Sequence, residues 1–349
     1  MNIPPHNPGS GAPHSERRVL LPVQRHEPAA LPHDARWFEA AGLSMGTTWR
    51  VKAMVCVGQV DSDLTRGIQE QLDQVVAQMS PWEPQSDLMR FNRAAAGTWN
   101  AIPAEFYQVL EHALFVAEQT QGAYDPTIGH LANAWGFGPR ARSEPSPSET
   151  EISHALRHTG WQKLKLDRAN KRVYQAGEIH IDLCSTAKGY GVDHVARYLE
   201  HQGIASYLVE VGGELRGLGI KTDAQPWWVE LENPPGQSDG INSIVALHRL
   251  SVATSGDYRR GFESAGIRYS HTIDPRNGYP VKHGLASVSV LHPECMIADA
   301  LATAMMVLGL DAGMAYAKKL QSAVRFIVRE EHGYREHWSP MLEAMLGED

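Results

Sequence analysis

The sequence predicts an α+β fold, and three observations lead there. Runs of short alternating segments occur without the regular strand–helix rhythm of a parallel sheet. Four stretches carry apolar residues at helical spacing or lie in long apolar runs bounded by helix signals. The composition, 42% hydrophobic and 21% charged over 349 residues, supplies enough apolar material for a large soluble core.

Residues 1–35 hold seven of the 21 prolines, with scattered His and Gly and no periodicity. They are expected to form a disordered tail, because such a stretch buries too little to offset its ordering entropy. A single domain is expected over 36–349. Residues 45–57 (MGTTWRVKAMVCV) alternate as a strand. Residues 63–79 place Ile68, Leu72, Val75, Val76 and Met79 on one helical face. Residues 103–122 open with Pro and end before Gly, as helices do. The polar, Pro- and Ser-rich run near 138–149 reads as a surface loop. Short strands are expected at 163–167, 171–175 and 179–183, then a helix at 186–202 and a strand at 206–213 entering Gly212-Gly213. Further strands are expected near 227–232, 243–254, 268–274 and 286–291, before a helix at 297–309.

A net charge of −8 and a pI near 6.1 argue against a general nucleic-acid or anionic-membrane surface. Cys56, Cys184 and Cys295 are odd in number and widely spaced, so they read as buried thiols rather than a disulfide or zinc framework. No run of about 18 apolar residues suggests a transmembrane segment. Arg17-Arg18 lacks the apolar stretch of an export signal, so the chain as written is expected to be cytoplasmic; a periplasmic protein whose leader had been removed would read the same way.

Six segments carry chemistry. In 180–203 a strand-like run ends at Asp182-Leu183, a small-residue turn follows, and Lys188 lies in the first helical turn. That arrangement suits an anion, because free N–H groups and the helix dipole face it. An ordinary cap with Lys188 in solvent is the alternative. In 295–309, Asp299 and Thr303 are the only polar side chains between Ile297 and Gly309 and share one helical face. A buried carboxylate with a hydroxyl suits Mg2+, a hard cation taking few protein oxygens; the alternative is that Asp299 satisfies its own helix's first-turn N–H groups. Residues 119–139 combine the Tyr124-Asp125-Pro126-Thr127 turn with the Gly-rich Trp135-Gly136-Phe137-Gly138. Trp82 stands between two prolines in a rigid turn, a stacking platform for a flat ligand. Gly212-Gly213 permits close backbone approach. Residues 252–260 lead into the run YSHTIDPRNGYPV (269–281), where a strand reading puts Tyr269, His271 and Ile273 on one face. Asp274 reads there as a turn former, with a catalytic partner as the alternative.

Taken together and in order, these segments resemble the ApbE-type FAD:protein FMN transferases. The likeness rests on Met45-Gly46-Thr47, Met79-Ser80-Pro81-Trp82, Gly122 to Thr127, Trp135 to Gly138, Asp182 to Gly189, Val211-Gly212-Gly213-Glu214, Ala253 to Tyr258, Ser270 to Pro275, and Ala298 to Ala304. It covers about residues 40–330. The resemblance implies mixed sheets with helices packed around them, an FAD cleft between the lobes, and one flavinyltransferase catalytic domain. It implies transfer of the FMN half of FAD to a Thr or Ser hydroxyl of an acceptor protein, with Mg2+ and release of AMP. Carried over by position, Asp299 and Thr303 correspond to side-chain ligands of Mg2+, with a backbone carbonyl near Ser185 as a third. Met45, Ala123, Tyr124, Asp125, Asp182, Lys188, Gly213, Glu214 and the Ile273 backbone correspond to FAD contacts. Trp82 takes the place of the family's flavin-stacking Tyr. His271 lies by the scissile pyrophosphate, where with Lys188 it would serve catalysis. The chain departs from the family's usual pattern at Cys184-Ser185-Thr186. An FAD pyrophosphatase, with water replacing the acceptor, and a non-catalytic FAD-binding or trafficking module are the alternatives.

Overall fold

The computed structural model describes residues 17–24, 26–139, 146–236, 242–264 and 266–346. The central part of the expected 138–149 loop therefore lies outside the described residues. In chain order the first elements are β1 (Arg17–Leu20), β2 (Ala35–Ser44), β3 (Thr47–Cys56), α1 (Asp61–Met79), α2 (Asp87–Asn92), β4 (Thr98–Ala101), α3 (Ala104–Gln119), α4 (Gly129–Ala134) and α5 (Glu149–His158). Next come β5 (Lys165–Asp167), β6 (Arg172–Gln175), α6 (Ala187–His201), β7 (Tyr207–Val211), β8 (Glu214–Leu218), β9 (Trp227–Glu230), β10 (Asn242–Leu247), β11 (Leu250–Gly256), β12 (Gly261–Ser264) and β13 (Ile267–Ser270). The last are β14 (Ile273–Asp274), β15 (Tyr279–Pro280), β16 (Leu285–His292), α7 (Cys295–Leu320), β17 (Ala323–Glu330), β18 (Gly333–Trp338) and α8 (Pro340–Glu343).

An eight-stranded antiparallel sheet, ordered β18-β17-β16-β11-β8-β7-β3-β2, organises this α+β architecture. Its two faces are read from the alternation along each strand. Val51, Ala53 and Val55 of β3, with Tyr207, Val209 and Val211 of β7, pack onto α1 and α6. The intervening Met54 and Leu208 point the other way, into a cluster with Trp227, Val245 and Leu342. The helix face continues onto α7, where Ala253, Val288 and Val290 meet Ala298, Ala302 and Met305. α7 is long and apolar enough to span a membrane, but 67% of its most apolar window is buried inside the protein, and it kinks at Gly309. It is a core helix.

Local signals account for several boundaries. Ser86 caps α2 by accepting from Met89 N at 3.0 Å. Ser148 and Glu151 form a capping box on α5. In α1, Leu64, Ile68, Leu72, Val75 and Met79 are buried at helical spacing, and Asp61 and Asp63 occupy the first turn, complementing the helix dipole.

Four expectations need correction. The expected 1–35 tail begins to pack at residue 17: β1 pairs in parallel with β10, Leu20 is fully buried, and Leu21 N donates to Met345 O at 2.8 Å. Residues 179–183 are extended but are not a ladder strand. Side-chain amides hold them instead: Gln175 bonds both N and O of Ile179, and Asn92 bonds both N and O of Ile181. The run 243–254 is two strands in different sheets, divided at His248-Arg249, where Arg249 adopts a left-handed φ of 55°. The strand through 268–274 breaks at His271-Thr272, because Ser270 Oγ accepts from Thr272 N at 3.2 Å in place of a ladder partner.

Candidate active site

The site lies where the N-terminal ends of α6 and α7 cross, and each helix caps the other. Asp193 of α6 accepts from Cys295 N at 3.0 Å and Met296 N at 2.9 Å, two first-turn donors of α7 that have no partner within that helix. Asp299 of α7 accepts from Gly189 N, in the first turn of α6, at 3.0 Å. Only glycine permits this crossing: a Cβ on Gly189 would lie 2.4 Å from the Cys295 carbonyl oxygen and 2.9 Å from Asp299 Cβ. Asp299 therefore does not satisfy its own helix's N–H groups; Asp193 does.

This crossing collects charge in a buried place. Asp299 is 4% exposed. Lys188 Nζ lies 3.9 Å from Asp299 Oδ1 and 2.5 Å from Glu214 Oε1. Glu214, 1% exposed, begins β8 directly after the Gly212-Gly213 turn. Burial pushes its carboxyl up to about 7, against the pull of Lys188. Burial opposes the Lys188 ammonium as well, but Asp299 and Glu214 outweigh it and hold its pKa above the ordinary lysine value. One turn along α7, Thr303 Oγ1 meets Ser255 Oγ of β11 at 3.1 Å.

The turn that opens α6 is braced from the other side. The buried Tyr124 hydroxyl bonds Thr186 Oγ1 and also engages Ser185. Burial raises the Tyr124 pKa, keeping the phenol neutral. Asp125 commits both carboxylate oxygens to the protein: Oδ1 accepts from Thr127 N and Oγ1 at 2.8 and 2.6 Å, and Oδ2 from Trp161 N at 2.9 Å. Asp182 Oδ1 accepts from Cys184 N at 2.8 Å and shapes the same turn. Ala123 is buried beside them.

His271 is half-buried. Its Nδ1 lies 3.2 Å from the Arg260 carbonyl oxygen, and its ring stands edge-on to Phe137, 6.3 Å between centroids. A carbonyl only accepts, so Nδ1 carries the proton and Nε2 of the neutral ring is an acceptor. Burial lowers the His271 pKa, and the nearby Arg260, Lys188 and Arg259 charges work in the same direction. A cleft of about 640 Å³ opens here, lined in part by Phe137, Tyr258, Arg259, Arg260 and Arg268.

The remaining candidates fall into supporting positions. Met45 sits at φ 53° in the β2–β3 turn, against Gly191 of α6. Ile273 is 4% exposed in a cluster with Leu131, Trp135 and Ile152. Trp135 donates its indole N–H to Gly278 O at 2.7 Å, so it anchors the core. Trp82 is 48% exposed on a turn that Ser80 Oγ fixes by accepting from Trp82 N and Glu83 N. Asp274 is a turn former: its side chain accepts from Arg276 N, Nε and Nη2, and its carbonyl from Gly278 N.

Sequence reasoning missed Arg259, Glu232 and Asp193. Arg259 covers Gly213, donates to Gly212 O at 3.0 Å, and pairs with Glu232. The signal for Arg259 was the basic pair after Tyr258; Glu232 carries none.

Residues 45–328 match the ApbE family model. The chain is 39% identical over 307 residues to an FAD:protein FMN transferase of Vibrio cholerae, covering 88% of this chain and 92% of that one. It is 36% identical to the protein of that name from Haemophilus influenzae, covering 88% and 90%. The apo crystal structure of the Pseudomonas stutzeri flavinyl transferase ApbE superposes with a TM-score of 0.83 at 37% identity, covering 90% of this chain and 98% of that one. The Vibrio cholerae flavin transferase ApbE gives the same TM-score and identity, covering 89% and 100%. By its sequence and by its fold, this chain belongs to the ApbE family.

Proposed function

We propose that the chain is an Mg2+-dependent flavin transferase that moves the FMN half of FAD onto a Thr or Ser hydroxyl of an acceptor protein and releases AMP. The observation that carries this reading is the cluster of the half-buried Lys188 with the buried Glu214 and Asp299 at the α6–α7 crossing, whose lysine charge acts on a neutral His271. The relatives' shared name supports it. In the reaction, the acceptor oxygen bonds to the FMN phosphorus and the pyrophosphate bridge to AMP breaks. The hydroxyl proton passes to His271 Nε2, which the Arg260 carbonyl leaves as the acceptor. The lowered pKa keeps that nitrogen free near neutral pH.

Lys188 is placed to offset charge on the pyrophosphate, and Glu214 fixes it there. The residues fit a hard cation. Asp299 Oδ1 lies beyond hydrogen-bond reach of Lys188, and Thr303 offers a hydroxyl one turn away on the same face. Asp299 and Thr303 would hold Mg2+, with a carbonyl from the Ser185 turn; the ion when bound neutralises phosphate charge. Trp82, exposed on a rigid turn, would stack a flavin ring.

Product analysis tests this reading. The purified protein is incubated with FAD and Mg2+, with and without an acceptor. Transfer predicts AMP release only with acceptor, matched by FMN on its Thr or Ser. FMN and AMP appearing equally well without acceptor would mean hydrolysis. Binding without any reaction would mean a trafficking module. His271→Ala should bind FAD normally and lose about 10²–10⁴ in rate; near-normal turnover would remove His271 from the mechanism.

A further inference from the structure

A second cluster of ligating side chains lies on α4, α5 and the segment before Asp182, and the reaction above does not use it. His154 and His158 are four residues apart on α5 and so share a face. Glu178 faces them from the turn after β6, with Oε2 at 3.3 Å from His158 Nε2. One ligand atom from each of the three lies within 4.8 Å of the others. His130 of α4 adds a further ring, its centroid 5.4 Å from that of His158, and its Nε2 lies 2.8 Å from the Glu178 carbonyl oxygen. His130 in turn stacks on His180 at 3.8 Å between centroids.

As a set of surface ion pairs this arrangement is poor. One carboxylate faces several imidazoles, and protonating neighbouring rings together sets like charges a few ångströms apart. The pattern suits neutral imidazoles converging on a shared cation. We infer that His154, His158 and Glu178 form a second metal site, which takes a borderline divalent ion of the Zn2+ type and ties the end of α5 to the segment leading into Asp182.

The donor set selects the ion. Two imidazoles and one carboxylate suit Zn2+, which binds His nitrogen at about 2.0–2.1 Å and carboxylate oxygen at about 2.0–2.2 Å, with water completing a tetrahedron. Mg2+ prefers oxygen ligands alone, so the two metals sort between the two sites. Tetrahedral coordination needs the ligand atoms about 3.3–3.6 Å apart, a value set by those bond lengths. Exposed His154 and Glu178 reach it by side-chain rotation. His130, donating Nε2–H to the Glu178 carbonyl, positions the backbone that carries the carboxylate. The consequence for the active site is mechanical. Gly129 N donates to His180 O at 3.1 Å, and Asp182 N to Pro126 O at 2.8 Å, so a metal here braces the strand-like run that delivers Asp182 and Ser185.

Zn2+ is the probe. The full-length protein is titrated with Zn2+ in excess Mg2+ by equilibrium dialysis, beside the double variant H154Q/E178Q. Both side chains are exposed, so the variant should match the wild type in metal-free Tm. The expected result is one fewer equivalent of tightly bound Zn2+ in the variant, or an affinity lower by roughly 10–100-fold, together with loss of a Zn2+-dependent rise in Tm. Co2+ should give an intense tetrahedral visible band with the wild type that the variant lacks. Equal Zn2+ stoichiometry and affinity in the two proteins would overturn the site, as would a Co2+ spectrum identical in both. The result is independent of FMN transfer, because FAD plays no part in the measurement.

Discussion

Asp193→Ala isolates the reciprocal capping that builds the candidate active site. Asp193 is 1% exposed and holds three donors: Cys295 N, Met296 N and Arg216 Nη1 at 2.7 Å. Removing the carboxylate strips two bonds from the start of α7, where one lost cap costs about 1 kcal/mol. It also leaves Arg216, whose side chain is 18% exposed, with Glu200 at 3.5 Å as its remaining anion. Breaking a buried ion pair on one side costs about 3–5 kcal/mol. The combined loss is about 4–6 kcal/mol, a large share of the roughly 5–15 kcal/mol of a typical domain. Urea or guanidinium denaturation measures it from the shift in midpoint at constant slope. FAD affinity should fall too, since the crossing that sets Gly189 against Asp299 is loosened. A loss under about 1 kcal/mol, at the level of a single surface cap, would refute the reasoning, for it would mean the crossing is held by apolar packing alone.

Three further outcomes follow from the same structure. Leu20→Ala should cost about 2–5 kcal/mol, as for a fully buried leucine, and deletion of residues 1–35 at least as much; unchanged denaturation midpoints would show that β1 does not dock. In metal- and FAD-free protein, Glu214 keeps a proton that the unfolded chain has already lost, because its pKa is raised from 4.5 to about 7. Its stabilising contribution is present below that window and is lost as pH rises through it, so Glu214→Gln should gain stability relative to wild type from about pH 5 to pH 8; parallel pH profiles would contradict the burial argument. Trp82→Ala should weaken FAD binding by about tenfold or less, given about 0.5–1.5 kcal/mol for aromatic pairing beyond area burial, and Trp82→Tyr should restore it; equal affinities in fluorescence titration would make Trp82 a loop anchor only.

The legible parts of the site were those where a residue broke a local pattern. Asp299 and Thr303 stood out because the surrounding helix is apolar, and Lys188 because it follows a small-residue turn. Asp193 did not stand out. It sits beside His194 between Val192 and Val195, an ordinary polar pair in a helix, and the α7 donors it caps lie 102 and 103 residues later. Residues 179–183 alternate as any half-buried strand does, and period alone cannot distinguish a ladder partner from the Asn92 and Gln175 amides that hold them. β1 is four residues long, too short for a period, and its burial depends on β10 and Met345, more than 200 residues away. The break at His271 is set by a serine hydroxyl bonding two residues on, a local choice that competes with the ladder.

The claim that the α6–α7 crossing holds the metal is tested most directly by the Mg2+ dependence of turnover in Asp299→Asn. The substitution keeps volume and an oxygen that still accepts from Gly189 N, so the cap survives while the charge is lost. Metal-free stability should stay within about 1 kcal/mol, the worth of a typical hydrogen bond. Turnover should collapse at ordinary Mg2+ and recover in part at tens of millimolar, on the order expected for a weakened carboxylate site. Full turnover with an unchanged Mg2+ profile would contradict the account and remove this helix crossing from the active site.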